Sequence, residues 1–389
     1  MDNSKTYTSP AYLDCAATTP VDPRVADVVF RYMVEDFGNP HSRTHTYGTR
    51  VARAVEEARA KLASVVAADP AEVVFTSGAT ESNNLAISGL ANGLRDRGLT
   101  HIVSTEIEHK AVLEPLDAVL QEGGFELTLV PPDPSGIVSA DAVLSAVRPE
   151  TGLISIIHVN NETGAIQPVA EIADRLGDHP AFLHTDAAQG FGKELDTLCH
   201  PRIDLISASG HKVFAPKGIG ILVTRRRAYR RPPIQPRQVG GGQERGLRCG
   251  TVAAPLAIGF GLAAELAVRE HADRQAACLA TRDEILSCID ELGGVVHTPL
   301  DQSVPNIVSF RLPGIDGDAA LLALKDVVAA ATGSACTSAR VEPSHVLRAM
   351  GLSDRETNES MRWSWGHIPI ELDHSEVISA LDVLVPTVH

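Results

Sequence analysis

The sequence predicts an α/β protein, with a large domain built on a mainly parallel sheet and a smaller domain after it. Three observations predict this. The 389 residues are 44% hydrophobic and 21% charged, which is enough to bury one large core and a second, smaller one. Between His101 and Val223, short apolar runs at 102–104, 125–130, 153–158, 182–185 and 204–207 alternate with helical or loop stretches. That is the pattern of strands joined by crossovers. Polar clusters follow the ends of these runs, where ligand groups gather in parallel sheets.

Lys and Arg total 34 against 49 Asp and Glu, a formal charge of −15. A chain this acidic is not expected to hold a nucleic acid directly and is better suited to a basic protein partner. No two of the six cysteines form a Cys-x-x-Cys pair, which argues against a zinc ribbon and a disulfide framework. The first ten residues are polar, and no apolar run is long enough to span a bilayer. The expectation is a cytoplasmic protein with free thiols and no membrane partner.

In chain order, Leu13-Asp14-Cys15-Ala16-Ala17-Thr18-Thr19-Pro20 comes first, with Cys15 reading as a small buried residue. A turn at 37–42 precedes a helix over 49–67, where Val51, Val55, Ala58 and Leu62 share a face. A strand at 73–75 runs into Thr76-Ser77-Gly78-Ala79-Thr80-Glu81, which opens a helix towards Leu94. A Gly-containing turn at a helix start presents N–H groups to an anion, while Ser77 or Thr80 could equally be a plain helix cap. The local pattern leaves both readings open.

Three polar clusters follow at strand ends: Glu106-Ile107-Glu108-His109-Lys110, His158-Val159-Asn160-Asn161-Glu162, and His184-Thr185-Asp186-Ala187-Ala188-Gln189. The decisive stretch is Ser207-Ala208-Ser209-Gly210-His211-Lys212, between two apolar strands and followed by Pro216-Lys217-Gly218. A lysine held there loses hydration, which disfavours its charged form and suits it to imine chemistry with an aldehyde cofactor. Ser207, Ser209 and His211 are placed to hold an anion beside it.

Arg225, Arg226, Arg227, Arg230 and Arg231 read as a solvated loop, secondarily as a docking site for an acidic partner. Prolines 232, 233 and 236 mark a linker, and a glycine-rich stretch runs from Gly240 to Thr251. A helix is expected over 253–292, with Cys278 and Cys288 in the core and the domain change near 265. The large domain is thus 14–265, and the small one comprises 1–13 and 266–389. A strand at 306–310 and a helix at 318–324 precede Gly333-Ser334-Ala335-Cys336-Thr337-Ser338. Small residues on both sides predict an accessible, mobile loop in which Cys336 can swing. Ser360-Met361-Arg362-Trp363-Ser364-Trp365-Gly366 closes the pattern. Arg362 could be a carboxylate clamp or a surface ion-pair partner, and the tryptophans are expected to add bulk at the substrate entrance.

From Leu13 to about Gly366 these motifs resemble the cysteine desulfurases of the aminotransferase class V group. The strings around His109, Gln243 and Ser344 are similar to the DndA-type desulfurases of DNA phosphorothioation. The resemblance implies fold type I of the enzymes that use pyridoxal 5'-phosphate (PLP), with a seven-stranded, mainly parallel sheet. It implies L-cysteine as substrate and L-alanine plus a persulfide on Cys336 as products. Lys212 would carry PLP, and Ala79, Thr80, Ser209, His211 and Thr251 would hold its phosphate. Asp186 would pair with the ring nitrogen, Asn161 and Gln189 would lie near the ring hydroxyl, and His109 would stack on the ring and move protons. Arg362, with Asn161, would bind the substrate. Thr251 would reach a partner subunit's cofactor, so a homodimer is implied, with a sulfur-acceptor protein as a further partner. No resident metal is expected, Cys336 at most touching an iron–sulfur unit in passing. A selenocysteine lyase, another fold-type-I PLP enzyme, and a non-enzymatic sulfur adaptor are the competing readings. The thiol at 336 argues against an aminotransferase, and the set of Lys212, Asp186 and Thr80 argues against an adaptor.

Overall fold

The computed structural model describes residues 10–332 and 343–384. Residues 18–160 and 166–272 form one compact unit. Residues 10–17, 161–165 and the described residues from 273 onward form another. The expected boundary near 265 falls inside a helix, Ala254–Arg269, which packs on Thr46–Val65 and Pro23–Val34. The single helix expected over 253–292 is two, Ala254–Arg269 and His271–Glu291, and the division between the units falls at the start of the second.

The larger unit holds seven strands: β1 (Val73–Thr76), β2 (His101–Thr105), β3 (Glu126–Val130), β4 (Thr151–Ile157), β5 (Phe182–Asp186), β6 (Leu205–Ser209) and β7 (Gly220–Thr224). Their spatial order is β1-β7-β6-β5-β4-β2-β3. All run in one direction except β7, which is antiparallel to both neighbours. Every residue of β4 is buried, as a strand covered on both faces requires. Leu85, Leu90 and Leu94 of helix Ala79–Arg95 and Val112 and Leu116 of helix Lys110–Gln121 pack with Leu153, Phe182 and Leu205 of the sheet.

The strand order places the functional turns side by side. Gly220 pairs with Thr76 on one side and Ser209 on the other. The turn leaving β1 and the turn leaving β6 therefore meet across one strand. A Cβ at Gly220 would lie 2.5 Å from Gly78 Cα and 2.6 Å from the Ala208 carbonyl oxygen, so only glycine permits this approach.

In the smaller unit, Ser360–Ser364, Ile307–Arg311 and Val295–Val296 form an antiparallel sheet in that order. Ala11–Tyr12 pairs in parallel with Val328–Ala329. Leu13, Ile285, Cys288, Phe310, Trp363 and Trp365 belong to its core. Cys278 and Cys288 are buried there, and Cys15 is buried as well.

Two expectations are corrected. The tryptophans do not stand at an entrance. A strand alternates its faces, so Arg362 and Ser364 point one way while Met361, Trp363 and Trp365 point the other. Both tryptophans are fully buried: Trp363 packs edge-on against Phe310 at 5.2 Å, and Trp365 Nε1 donates to the Cys278 carbonyl at 3.0 Å. The arginine run is not uniformly solvated. Arg225 is buried and donates to the Leu198 carbonyl, and Arg227 pairs with buried Asp204 over the Phe182 ring. Arg226 and Arg230 are the members left exposed to solvent.

Candidate active site

Lys212 ends a short 3₁₀ turn, Gly210–Lys212, between β6 and β7, and is half-buried. The opening motif pins this turn. Thr19 N–H donates to the His211 carbonyl at 3.0 Å, Phe214 N–H donates to Thr19 Oγ1 at 3.0 Å, and Thr18 Oγ1 lies 3.2 Å from His211 Nδ1. Burial, then the positive charges of Lys212, Lys217 and Lys193, push His211 down to about 4. At neutral pH it is an uncharged ring, so it can give an anion a hydrogen bond but no charge.

Helix Ala79–Arg95 begins at Gly78, which has no side chain to cap it. A helix of this length with an uncapped first turn offers N–H groups and a positive dipole end to an anion. Ser209 Oγ lies 3.6 Å from where a Gly78 Cβ would sit. The structure thus brings Ala79, Thr80, Ser209 and the Lys212 turn together at one end of the sheet. This cradle suits a phosphate, and the lysine beside it suits the aldehyde of PLP.

Asp186 ends β5 and is almost fully buried. Asn83 Nδ2 donates to one carboxylate oxygen at 2.7 Å and Ala188 N–H to the other at 2.9 Å. Such a fixed, buried carboxylate is a ready partner for a protonated pyridine nitrogen. Buried Gln189 lies in the turn that follows. His109 caps helix Lys110–Gln121, its Nδ1 accepting from Ala111 N–H at 3.0 Å. The other ring nitrogen then carries the proton.

Motif reading did not single out Glu108, Asn83 or Asp14. Glu108 is fully buried, and its Oε1 accepts from Ile157 N–H at 2.7 Å and Thr105 Oγ1 at 2.9 Å. Burial, with Asp186 adding to it, pushes its carboxyl up to about 8 against those two hydrogen bonds. A second glutamate just before His109 gives no local sign of burial. Asn83 could have been suspected, since it stands one helical turn beyond Ala79 and so on the same side of the helix.

In the smaller unit Arg362 is 1% exposed. Its Nη2 donates to Asp14 Oδ1 at 2.7 Å and its Nη1 to the Asn161 carbonyl at 3.0 Å. Its Nε has no hydrogen-bond partner among the described residues. An unmet buried donor is costly, and a bound carboxylate would satisfy it. Asn161 therefore belongs with Arg362 in this unit. The Ala331 carbonyl accepts from Arg362 N–H at 2.8 Å. Cys336 lies outside the described residues.

The stretch from Gly240 to Thr251 is tied to the Gly78 turn and to the strand before it. Arg248 Nε donates to Glu81 Oε1 at 3.0 Å, and Glu81 Oε2 accepts from Ser77 N–H at 2.6 Å. Arg59 holds Glu244 with two bonds, at 2.7 and 2.8 Å. Cys249 is buried, and Thr251 is exposed.

A family model described as aminotransferase class-V matches residues 11–369. The chain is 44% identical over 379 residues to a protein of Arthroderma benhamiae named mitochondrial cysteine desulfurase; the match covers 96% of this chain and 74% of the relative. It is 48% identical to DndA from Streptomyces lividans, whose crystal structure superposes with a TM-score of 0.80 over 91% of this chain and 99% of that one. A structure of SspA in complex with cysteine is 36% identical, with a TM-score of 0.79 over 91% and 98% of the two chains.

Proposed function

The chain belongs to the aminotransferase class-V family, and within it we infer that it is a PLP-dependent cysteine desulfurase of fold type I that converts L-cysteine to L-alanine. The observation that carries the reading is the meeting of the Lys212 turn with the uncapped Gly78 turn across Gly220, beside buried Asp186.

PLP, when bound, would supply a protonated ring able to accept electrons from the substrate's Cα. The chain supplies the rest. Asp186, fixed by Asn83 and Ala188 N–H, keeps the proton on the ring nitrogen. Gln189, buried in the turn after Asp186, would hold the ring hydroxyl. Arg362, with Asn161 beside it, binds the substrate carboxylate, its free Nε completing the contact. Lys212 Nζ takes the Cα proton and gives it back to Cα after the Cβ–S bond has broken. His109, protonated on Nε2, assists proton transfer at the substrate. The Cys336 thiolate forms an S–S bond to the substrate sulfur as the Cβ–S bond breaks. That bond's electron pair stays with Cβ, which gains a proton and becomes the alanine methyl. The sulfur remains as a persulfide on Cys336.

The enzyme works as a homodimer in the cytoplasm, with Thr251 reaching the second copy's cofactor phosphate. The persulfide passes to an acceptor protein. The 48% identity to DndA favours a DNA-phosphorothioation relay over iron–sulfur assembly or tRNA thiolation as the destination. Alanine release from L-cysteine with a thiol reductant tests the chemistry: alanine with equal sulfide is expected, and a yellow, PLP-loaded protein that releases none would refute it. Capture of a DNA-modification protein by the persulfide-loaded enzyme tests the destination, and recovery of an iron–sulfur scaffold alone would count against it.

A further inference from the structure

We propose that Arg59 and Glu244 are positioning residues for the cofactor phosphate, a buried clamp that holds the 240–251 loop so that Thr251 is delivered at a fixed place. This rests on the reading of Thr251 as a phosphate ligand. Arg59 and Glu244 are 3% and 7% exposed and joined by a bidentate pair. The pair does more than neutralise itself. Strand β1 lies at the edge of the sheet, and an edge leaves backbone groups needing partners. The clamp provides them. Glu244 Oε2 accepts from Phe75 N–H at 2.8 Å, and Arg59 Nη1 and Arg245 Nη1 donate to the Val73 carbonyl at 2.8 and 3.0 Å. The Arg59 guanidinium also stacks over the Phe75 ring at 4.5 Å.

The backbone points the same way. Glu244 and Arg245 have φ of 44° and 58°, a left-handed conformation that side-chain-bearing residues avoid. Such strain persists where the surroundings over-determine it. Beyond the clamp the loop is closed on itself, with Gly250 N–H donating to Gln243 Oε1 at 2.8 Å. Thr251 is the next residue. A buried ion pair is poor evidence for added stability, because apolar residues of similar size often serve as well. Its directional bonds to a loop ending at Thr251 are what an apolar pair could not supply.

The test uses holoenzyme carrying Glu244→Gln, Thr251→Val or both. The rate of PLP release, the phosphorus NMR shift of the bound phosphate and the thermal midpoint of each protein are measured. Glu244→Gln is expected to release PLP at least tenfold faster and to shift the phosphate signal, while absorbance at saturating PLP stays as in wild type. The double variant is expected to release it no faster than Thr251→Val alone. Wild-type release by Thr251→Val would remove the underlying reading and the clamp's purpose with it. Loss in Thr251→Val but not in Glu244→Gln, or losses that multiply in the double variant, would refute the clamp alone. Should Glu244→Gln fail to fold, Arg59→Lys decides. It keeps the charge without the fork and should still release PLP several-fold faster; release at the wild-type rate would overturn the proposal.

Discussion

Replacing Arg362 by lysine isolates the role of the guanidinium fork. Two of its nitrogens are already committed, to Asp14 and to the Asn161 carbonyl, and Nε is the buried donor with no partner among the described residues. A lysine ammonium can keep the positive charge and the Asp14 contact but cannot present a planar fork. On the proposed role of Arg362, the substrate carboxylate would lose one charge-assisted hydrogen bond, worth about 1.5–3 kcal/mol, or about 10- to 150-fold in kcat/KM. The carboxylate does not change during the reaction, so the contact is made equally before and during the chemical step. The loss should fall on KM, with kcat within a few-fold of wild type. Asp14 is partly solvated, its side chain 23% exposed, so the variant should fold and keep its PLP absorbance. The assay is alanine release over a range of L-cysteine. A KM within twofold of wild type would show that the free Nε is not the carboxylate's donor.

Lys212→Ala should lose the yellow colour and alanine release together, whereas Cys336→Ser should keep the colour and form no persulfide; mass spectrometry and absorbance separate the two. Glu108 holds its proton to about pH 8 in the folded protein, while an unfolded carboxyl ionises near 4.5. Between those values the native state binds more protons than the unfolded one, so stability falls as pH rises. Relative to Glu108→Gln, wild-type apoprotein should lose on the order of a few kcal/mol from pH 5 to pH 8, and parallel unfolding midpoints of the two across that range would contradict a buried neutral acid. Gly190→Ala would place a Cβ 2.1 Å from Nδ1 of fully buried His158, so a loss of about 1–3 kcal/mol is expected in denaturant unfolding. An unchanged midpoint would mean that the ring can swing aside.

Much of the larger unit was legible because its signals are local. Each of the five apolar runs between 102 and 207 became a sheet strand, with ends shifted by at most two residues. Asp186 and the Lys212 turn sit at strand ends, where the alternation of strand and crossover places them. The glycine-rich string at 76–84 opens a helix because the turn and the helical period lie next to each other in the chain. The identity of the residues as cofactor ligands came from motif likeness, since no single string separates a helix cap from a phosphate turn.

What the sequence by itself determined was the fold class, the order of the strands along the chain, and the residue types gathered at their ends. Periodicity and turn chemistry are written over a few neighbouring residues. The tertiary structure decided what depends on partners far away. Arg59 and Glu244 are 185 positions apart, and nothing near either predicts the other. Trp363 reads as bulk beside a functional arginine until the sheet fixes which face of the strand meets the core. Arg225 and Arg227 read as solvent-facing charges until backbone carbonyls and Asp204 are placed around them. Glu108 reads as one more acidic residue until the strands enclose it. Burial is the sum of contacts from many segments, and it alone turned these ordinary residues into a clamp, a core and a neutral acid.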